Sequence, residues 1–194
     1  MRLLGVLGVM ILTLSVASVT LAGVPSQATS TVERAGQGTP PCNPNGAVVC
    51  PRGDMGSVLV TVTVRNVYGD PLPGKTVNCQ AVPVTGTFCF CPGQTPQAGV
   101  TDLNGQVFFT FFKFGGCGDL KFGADCDGVV FNPSATIYIA SPDNDGNCVV
   151  NSVDLARFAQ AYGTTQRCSD YNCDGSVNSI DLAIFAQHYG HACP

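Results

Sequence analysis

Two hydrophobic patterns divide the chain into a strand-rich part and a shorter helical part. From position 58 to position 64, four valines alternate with other residues, which is the two-residue period of a half-buried β-strand. Similar stretches predict further strands at residues 76–82, 106–113, 120–124 and 135–140, and Asn104 and Gly105 predict a tight turn. Short strands with regular turns and no helical period predict an antiparallel β-sandwich over residues 57–140.

The end of the chain carries a helical period twice. Apolar residues spaced i, i+3, i+4 and i+7 form two stripes, which are Leu155, Phe158, Ala159 and Tyr162, and Leu182, Phe185, Ala186 and Tyr189. Gly163 and Gly190 follow the stripes and are expected to end the two helices. Neither short helix can bury its stripe alone, so we expect the two helices to pack against each other.

The two helices belong to an internal duplication, in which residues 143–163 match residues 170–190 at 12 of 21 positions. Each copy opens with a loop whose oxygen-bearing groups fall at positions 1, 3, 5, 7, 9 and 12, the spacing with which a loop surrounds a calcium ion. The expected ligands of the first loop are Asp143, Asp145, Asn147, the Val149 carbonyl, Asn151 and Asp154. Those of the second loop are Asp170, Asn172, Asp174, the Ser176 carbonyl, Asn178 through a water, and Asp181. The sequence therefore predicts two bound calcium ions.

The two loops differ at position 6, where a calcium loop turns sharply. Gly175 occupies this position in the second copy and Cys148 in the first, so we expect the first loop to be strained or differently shaped. Val150 and Val177, at position 8, are expected to pack against the partner loop. The alternative is a helical hairpin with solvated Asp caps. That hairpin would not explain why oxygen-bearing side chains recur at the same positions in both copies.

A loop followed by a helix, repeated twice, resembles the dockerin family over residues 143–190. Strand-forming residues lead through Ser141 and Pro142 into the first loop, which leaves no room for the preceding helix of an EF-hand. The resemblance implies that this segment docks an exported protein onto a cohesin domain, often in assemblies that degrade polysaccharides. Family members recognise cohesin through hydroxyl pairs at loop positions 10 and 11, with basic residues farther along the helix. Calcium binding carries over better than cohesin binding, because this chain has Ser152-Val153, Ser179-Ile180, Gln160 and Gln187 at those positions.

A second resemblance covers the strand-rich part. Residues 64–74, with the sequence VRNVYGDPLPG, together with Val77 and the TDLNGQ segment at 101–106, resemble bacterial immunoglobulin-like domains of the invasin and intimin type. Those domains act as spacers or surface stalks, and some carry adhesion surfaces. The two resemblances imply a mainly β immunoglobulin-like sandwich at residues 57–140 and a small all-α dockerin-like module at residues 143–194. Residues 23–56, rich in Pro, Gly and Ser, are expected to form an extended leader.

The first 22 residues predict a cleavable secretion signal. Arg2 precedes an apolar run, and small residues around Ala22 follow it. A membrane anchor is the alternative, but the strongly apolar core is short and hydroxyl residues dilute its end. Because no later segment is apolar enough to span a bilayer, we expect a protein that is secreted or held at the cell surface.

The chain has 11 cysteines, a density that predicts disulfides in an exported protein. Zinc is the alternative, suggested by two close pairs, Cys89 with Cys91 and Cys168 with Cys173. Against zinc, the chain has only two histidines and no C-x-x-C motif. Cys42 and Cys50 are expected to pin the leader. Within the module we expect the pairs Cys148–Cys173 and Cys168–Cys193.

Charge and the remaining polar residues argue against catalysis and nucleic-acid binding. The net charge is −4, and residues 143–194, with six Asp and two Arg, carry the same −4. Outside the loops no carboxylate pair or nucleophile–base set suggests a catalytic site, and His188 is expected on the exposed side of its helix. We therefore expect a non-enzymatic protein whose calcium repeats attach it to a cohesin-bearing scaffold or a cell-surface protein. The alternative is an extracellular structural or adhesin-like protein in which the repeats are only a stabilising cap.

Overall fold

The computed structural model describes residues 23–34, 42 and 46–194, so the predicted signal peptide at residues 1–22 lies outside the described residues. Within these residues the elements are, in chain order, β1 (Thr31–Arg34), β2 (Gly46–Val48), β3 (Val58–Thr63), β4 (Thr76–Pro83), β5 (Thr87–Phe90), β6 (Gln97–Val100), β7 (Gln106–Phe111), β8 (Phe114–Cys126), β9 (Val129–Val130), β10 (Ile137–Ala140), α1 (Ser152–Ala161) and α2 (Ser179–His188). The described chain is therefore mainly β, with two short helices at its C-terminal end.

The strands form two sheets. The smaller sheet is antiparallel and has the order β1-β3-β7. The larger sheet has the order β2-β10-β8-β4-β6, and β5 and β9 also pair with β8. Its pairs are antiparallel except that of β2 and β10, which run parallel. The long strand β8 organises the larger sheet, because β4, β5, β9 and β10 all pair with it.

The two sheets face each other across a hydrophobic core. Val58, Val60 and Val62 of β3 are buried, because their alternation turns one face of the strand inward. Phe111 of β7 and Phe122 of β8 meet across the core with ring centroids 4.7 Å apart. Burying each such side chain stabilises the fold by roughly 1.5–3 kcal/mol. The prediction of a mainly β sandwich is confirmed.

Two stretches of the predicted leader, Thr31–Arg34 and Gly46–Val48, form strands of the two sheets, so at these residues the leader belongs to the sandwich. β1 pairs with β3 in the smaller sheet, and β2 pairs with β10 at the edge of the larger sheet. Val32, Ala47 and Val48 are buried as a result. Strands of three and four residues are too short to show a two-residue period among Pro, Gly and Ser, which is why the pattern did not predict them.

The two helices pack together and against the edge of the larger sheet. The rings of Phe158 in α1 and Phe185 in α2 lie 5.7 Å apart, centroid to centroid. Their buried cluster also includes Val48 of β2 and Ala140 of β10. The helical pair therefore shares its hydrophobic cluster with the sandwich.

The buried face of each helix differs from the predicted stripe. Phe158, Ala161 and Phe185 are buried as part of the helix contact, whereas Leu155 and Tyr162 are 40% and 51% exposed. Leu182, Ala159, Ala186 and Tyr189 are exposed as well. Each leucine directly follows the Asp at position 12 of its loop, and the carboxylate of that Asp points into the loop. A neighbour in a helix is rotated by about 100°, so the leucine is turned outward.

Candidate calcium site in the duplicated loops

The carboxylate of the first residue in each loop accepts hydrogen bonds from several backbone N–H groups of that loop. Asp143 accepts hydrogen bonds from the backbone N–H groups of Gly146 and Asn147, both at 3.1 Å, and of Cys148 at 2.8 Å. In the second loop, Asp170 accepts from the backbone N–H groups of Asp174 at 3.2 Å and Gly175 at 2.9 Å. The position-1 carboxylate therefore plays the same part in both copies.

The last residue of each loop closes the loop and caps the helix. Asp154 accepts hydrogen bonds from the N–H groups of Asp145 at 3.1 Å and Asn151 at 2.9 Å. Asp181 accepts in the same way from Tyr171 at 2.7 Å and Asn178 at 2.9 Å. Asn151 and Asn178 are the N-cap residues, and each forms a capping box with the Asp three residues later. Position 12 thus joins the loop to the start of its helix.

The first loop is strained, as expected, but its backbone turns at the same two positions as that of the second loop. Positions 4 and 6 both have a left-handed backbone, with φ of 71° at Gly146 and 71° at Cys148 in the first loop. In the second loop φ is 54° at Cys173 and 91° at Gly175. Each copy therefore places one glycine and one cysteine at these two positions, in opposite order. A non-glycine residue in this region costs on the order of 1–3 kcal/mol, so both loops carry that strain.

Four of the loop carboxylates are taken out of water without a basic partner. Asp143, Asp154 and Asp181 are fully buried, and Asp170 is 6% exposed. Among the described residues, no salt bridge joins any of them to Lys, Arg or His. Burial, the largest cause, raises the pKa of Asp143 to about 6, and it also raises the pKa of Asp154 and of Asp170. Buried carboxylates of this kind are stabilised by a bound cation.

The donor set fits calcium, and the first loop is the more convergent of the two. Carboxylate oxygens of Asp143, Asp145 and Asp154 lie within 4.8 Å of one another. In the described chain, the three carboxylates of the second loop form no such group. There Asp174 is exposed and accepts from the side-chain amides of Asn172 at 2.8 Å and Asn178 at 3.1 Å. Carboxylate, amide and carbonyl oxygens are the ligands that calcium prefers.

The two copies hold each other through position 8. Val150 and Val177 are buried. The N–H of Gly190, after the second helix, donates to the carbonyl of Val150, and the N–H of Gly163, after the first helix, donates to that of Val177, both at 2.8 Å. The valine of each loop is therefore hydrogen-bonded to the glycine that follows the helix of the other copy. In this way each loop positions the end of the other helix.

The four disulfides join the helical part to the rest of the chain. They are Cys42–Cys173, Cys89–Cys148, Cys91–Cys193 and Cys117–Cys168, with Cα atoms 5.1–5.5 Å apart. The expected pairs within the module are wrong, because each loop faces the sheet and its cysteine meets a sheet or leader cysteine. Zinc at the two close pairs is wrong too, because all four cysteines are in disulfides. Cys50, Cys79 and Cys126 are free and buried, and burial raises the pKa of the Cys79 thiol to about 12.

A glycine in β8 makes room for the first loop. A Cβ atom added to Gly115 would overlap the carboxylate of Asp143. The next residue, Gly116, donates its backbone N–H to the carbonyl oxygen of Asp143 at 2.7 Å. The first loop therefore lies directly on the backbone of the larger sheet.

The two histidines lie together, and His188 is in a different place from that expected. Their side chains are 12% exposed for His188 and 16% for His191, and both face the carboxylate of Asp54. The interpretation of His188 as an exposed helix residue is therefore wrong. Asp54 is far away in sequence, so the helical period gave no signal of this contact.

No family model and no curated protein matches the sequence. Among solved structures, the chain is similar to the Yersinia pseudotuberculosis adhesin InvE, with 21% identity and a TM-score of 0.35 over 61% of this chain and 28% of InvE. It is also similar to Yersinia pseudotuberculosis InvD, with 11% identity and a TM-score of 0.38 over 62% of this chain and 30% of InvD. The chain thus spans less than a third of either protein. Within the described residues, no helix has both the length and the apolar character needed to cross a membrane.

Proposed function

We propose that this protein is a non-catalytic, extracellular structural or adhesin-like protein in which two calcium ions stabilise the C-terminal end of the β-sandwich. The observation that carries the proposal is the covalent and hydrophobic union of the two parts. Each of the four disulfides joins the helical part to the rest of the chain. Val48 and Ala140 of the larger sheet also share a buried cluster with Phe158 and Phe185. These contacts favour a cap over a module that moves independently.

Calcium in the loops would neutralise the buried carboxylates. The position-12 residues Asp154 and Asp181 would then hold the loop, the cation and the start of the helix together. Because the cation binds the folded loop more strongly than the unfolded chain, its binding free energy adds to the stability of the fold. This part of the proposal rests on buried carboxylates that have no basic partner.

The disulfides also indicate the compartment in which the protein is found. Four disulfides are typical of an oxidising compartment, such as the outside of the cell. Export is consistent with the predicted signal at residues 1–22.

Two acidic residues outside the loops have structural contacts that support a non-catalytic role. Asp102 accepts from the backbone N–H groups of Asn104 and Gln106 in a turn, and Asp70 accepts from the side-chain amide of Asn66.

Thermal unfolding with calcium and with EGTA tests the cap. We expect calcium to raise the unfolding temperature of the sandwich together with that of the helical part, because the helices share a buried cluster with β2 and β10 and are cross-linked to the rest of the chain. Hydrogen exchange in EGTA should increase first in residues 143–194, while β3, β4, β7 and β8 remain protected. Two separate transitions, of which only one responds to calcium and the sandwich transition is unchanged, would contradict the cap.

A dockerin-like docking function is the second candidate, and one observation favours it. Large apolar side chains are exposed at equivalent positions of the two helices, which are Val153 and Ile180, Leu155 and Leu182, and Tyr162 and Tyr189. A repeated apolar surface of this kind suits a cohesin-type partner. Binding to an immobilised cohesin domain should then require calcium and be lost in the variant Leu155→Lys/Leu182→Lys. Absence of binding by the calcium-loaded wild type would leave the cap as the function of the repeats.

A further inference from the structure

Both histidines of the chain meet a cysteine and an aspartate where the helical part contacts the sandwich. Cys50 and Asp54 lie shortly after β2, His188 is the last residue of α2, and His191 follows three residues later. One ligand atom from each of these four side chains lies within 4.8 Å of the other three. Thiol, imidazole and carboxylate groups thus converge on one point from two distant parts of the chain.

Four of the distances between these groups are close to those of a tetrahedral metal site. The Nδ1 atom of His188 lies 3.2 Å from Nδ1 of His191 and 3.3 Å from Oδ1 of Asp54. The Nδ1 atom of His191 lies 3.2 Å from Oδ2 of Asp54 and 3.8 Å from Sγ of Cys50. Around tetrahedral zinc, with bonds of about 2.0–2.1 Å to nitrogen or oxygen and about 2.3 Å to sulfur, neighbouring ligand atoms lie about 3.3–3.6 Å apart.

We propose that Cys50, Asp54, His188 and His191 bind a divalent transition-metal ion of the zinc class. One thiolate, two imidazoles and one carboxylate suit zinc, whereas calcium is bound by oxygen atoms alone. The site is therefore chemically distinct from the duplicated loops and does not depend on whether those loops bind calcium.

The surroundings allow an ion to enter and its ligands to release protons. Cys50 is buried, whereas Asp54 is 38% exposed and forms the open side of the cluster. Binding displaces the proton of the Cys50 thiol to solvent, because the thiolate is the form that binds a metal. Arg52 contacts Nε2 of His191 at 3.2 Å, and its Nε lies 3.8 Å from Asp54. Its side chain is 62% exposed, so it can turn from the imidazole towards Asp54 when Nε2 carries a proton.

The duplication supports a special role for the two histidines. The equivalent positions in the first copy, 27 residues earlier, are Ala161 and Thr164. Ala161 is buried in the helix contact, so packing of the repeat does not require a histidine at that position. The second copy therefore differs from the first at both positions that face Cys50 and Asp54. A bound ion would fasten the end of α2 to the segment after β2.

Cobalt substitution tests the site in the full chain, in saturating calcium so that the duplicated loops do not compete for the ion. We expect the wild type to bind one equivalent of Co²⁺ with tetrahedral d–d bands and a thiolate-to-cobalt charge-transfer band. Zn²⁺ should displace the cobalt and raise the unfolding temperature. The variant Cys50→Ala should lose the charge-transfer band, and His188→Gln should lose stoichiometric binding. The matched control is Cys79→Ala, which removes another buried free thiol and should keep both signals.

Two results would overturn the proposal. The first is a wild-type protein that takes up no stoichiometric Co²⁺ or Zn²⁺, in which case Asp54 only accepts hydrogen bonds from the two imidazoles. The second is a Cys50→Ala variant that retains the wild-type charge-transfer band. Circular dichroism and the wild-type pattern of four disulfides confirm that each variant is folded. The wild-type cobalt spectrum tests the site even where a variant does not fold.

Discussion

At the scale of single residues, position 12 of each calcium loop combines two structural roles. Asp154 and Asp181 bind backbone N–H groups of their loops and also form the capping boxes of α1 and α2. Both are fully buried. The sequence predicted both residues as ligands from spacing alone. Calcium binding itself stays a prediction.

Replacing these residues one at a time tests each loop separately. Asp154→Asn and Asp181→Asn keep the side-chain volume and one acceptor oxygen but remove the charge. Each variant should weaken calcium binding in its own loop on the order of tenfold or more, because ligand charge sets affinity. Isothermal titration calorimetry should then resolve one tight site where the wild type has two. The control is Asp102→Asn, which changes a turn outside the repeats. Two unchanged sites in either loop variant would contradict the ligand assignment.

A second residue-scale prediction concerns the glycines of β8. Gly115→Ala places a Cβ against the Asp143 carboxylate, whereas Gly123→Ala, in the same strand, meets only Val82 Cγ2 at 3.9 Å. The first variant should lower the unfolding temperature and weaken calcium binding at the first loop, and the second should change neither strongly. Scanning calorimetry with and without calcium measures both effects. Equal behaviour of the two variants would show that the first loop does not depend on its contact with the sheet.

At the scale of elements, the hydrophobic periods of the sequence predicted well which segments form strands and helices. They predicted less well which face of each helix is buried. Strands were predicted within or near β3, β4, β7, β8 and β10, and both helices were predicted, because each has enough residues to show its period. The apolar stripe of each helix was only partly right. Phe158 and Phe185 are buried, but Leu155 and Leu182 are turned outward by the inward carboxylate that precedes them. The hydrophobic period of a segment does not reveal which other helix or strand it packs against.

The helix contact can be tested with two substitutions in α1. Phe158→Ala removes a buried ring that stacks on Phe185 and Tyr171, and it should destabilise the protein by about 3–5 kcal/mol. Leu155→Ala removes a side chain that is 40% exposed, and it should cost less than about 1 kcal/mol. Urea unfolding in saturating calcium provides the free energies. A larger loss for Leu155 than for Phe158 would show that the predicted stripe is the buried face after all.

At the scale of the whole molecule, the disulfides unite two segments that the sequence predicted as separate domains. The paired cysteines are 51 to 131 residues apart. Each calcium loop contains one of them, Cys148 in the first and Cys173 in the second. A cross-link at each loop restricts the unfolded chain and keeps the loops beside the sheet even without calcium. This arrangement favours a stabilising cap over a mobile attachment module.

Peptide mapping without reduction tests the connectivity. Mass spectrometry should identify the pairs Cys42–Cys173, Cys89–Cys148, Cys91–Cys193 and Cys117–Cys168, and alkylation after denaturation should label Cys50, Cys79 and Cys126. Alkylation of the native protein serves as the control and should label none of these three, because all are buried. Recovery of Cys148–Cys173 or Cys168–Cys193 would show that the repeat is cross-linked within itself.

Neighbouring residues along the chain were enough to predict the strands, the helices, the duplication and the candidate ligands of each loop. The strands, helices and loops depend on backbone geometry over a dozen residues or fewer, so their periods can be recognised in the sequence, and the duplication is visible as repeated sequence. The pairing of cysteines, the buried helix face and the meeting of Cys50 and Asp54 with His188 and His191 could not be predicted in this way. These contacts arise only when the helical part packs against the edge of the larger sheet, which brings together residues more than 130 positions apart.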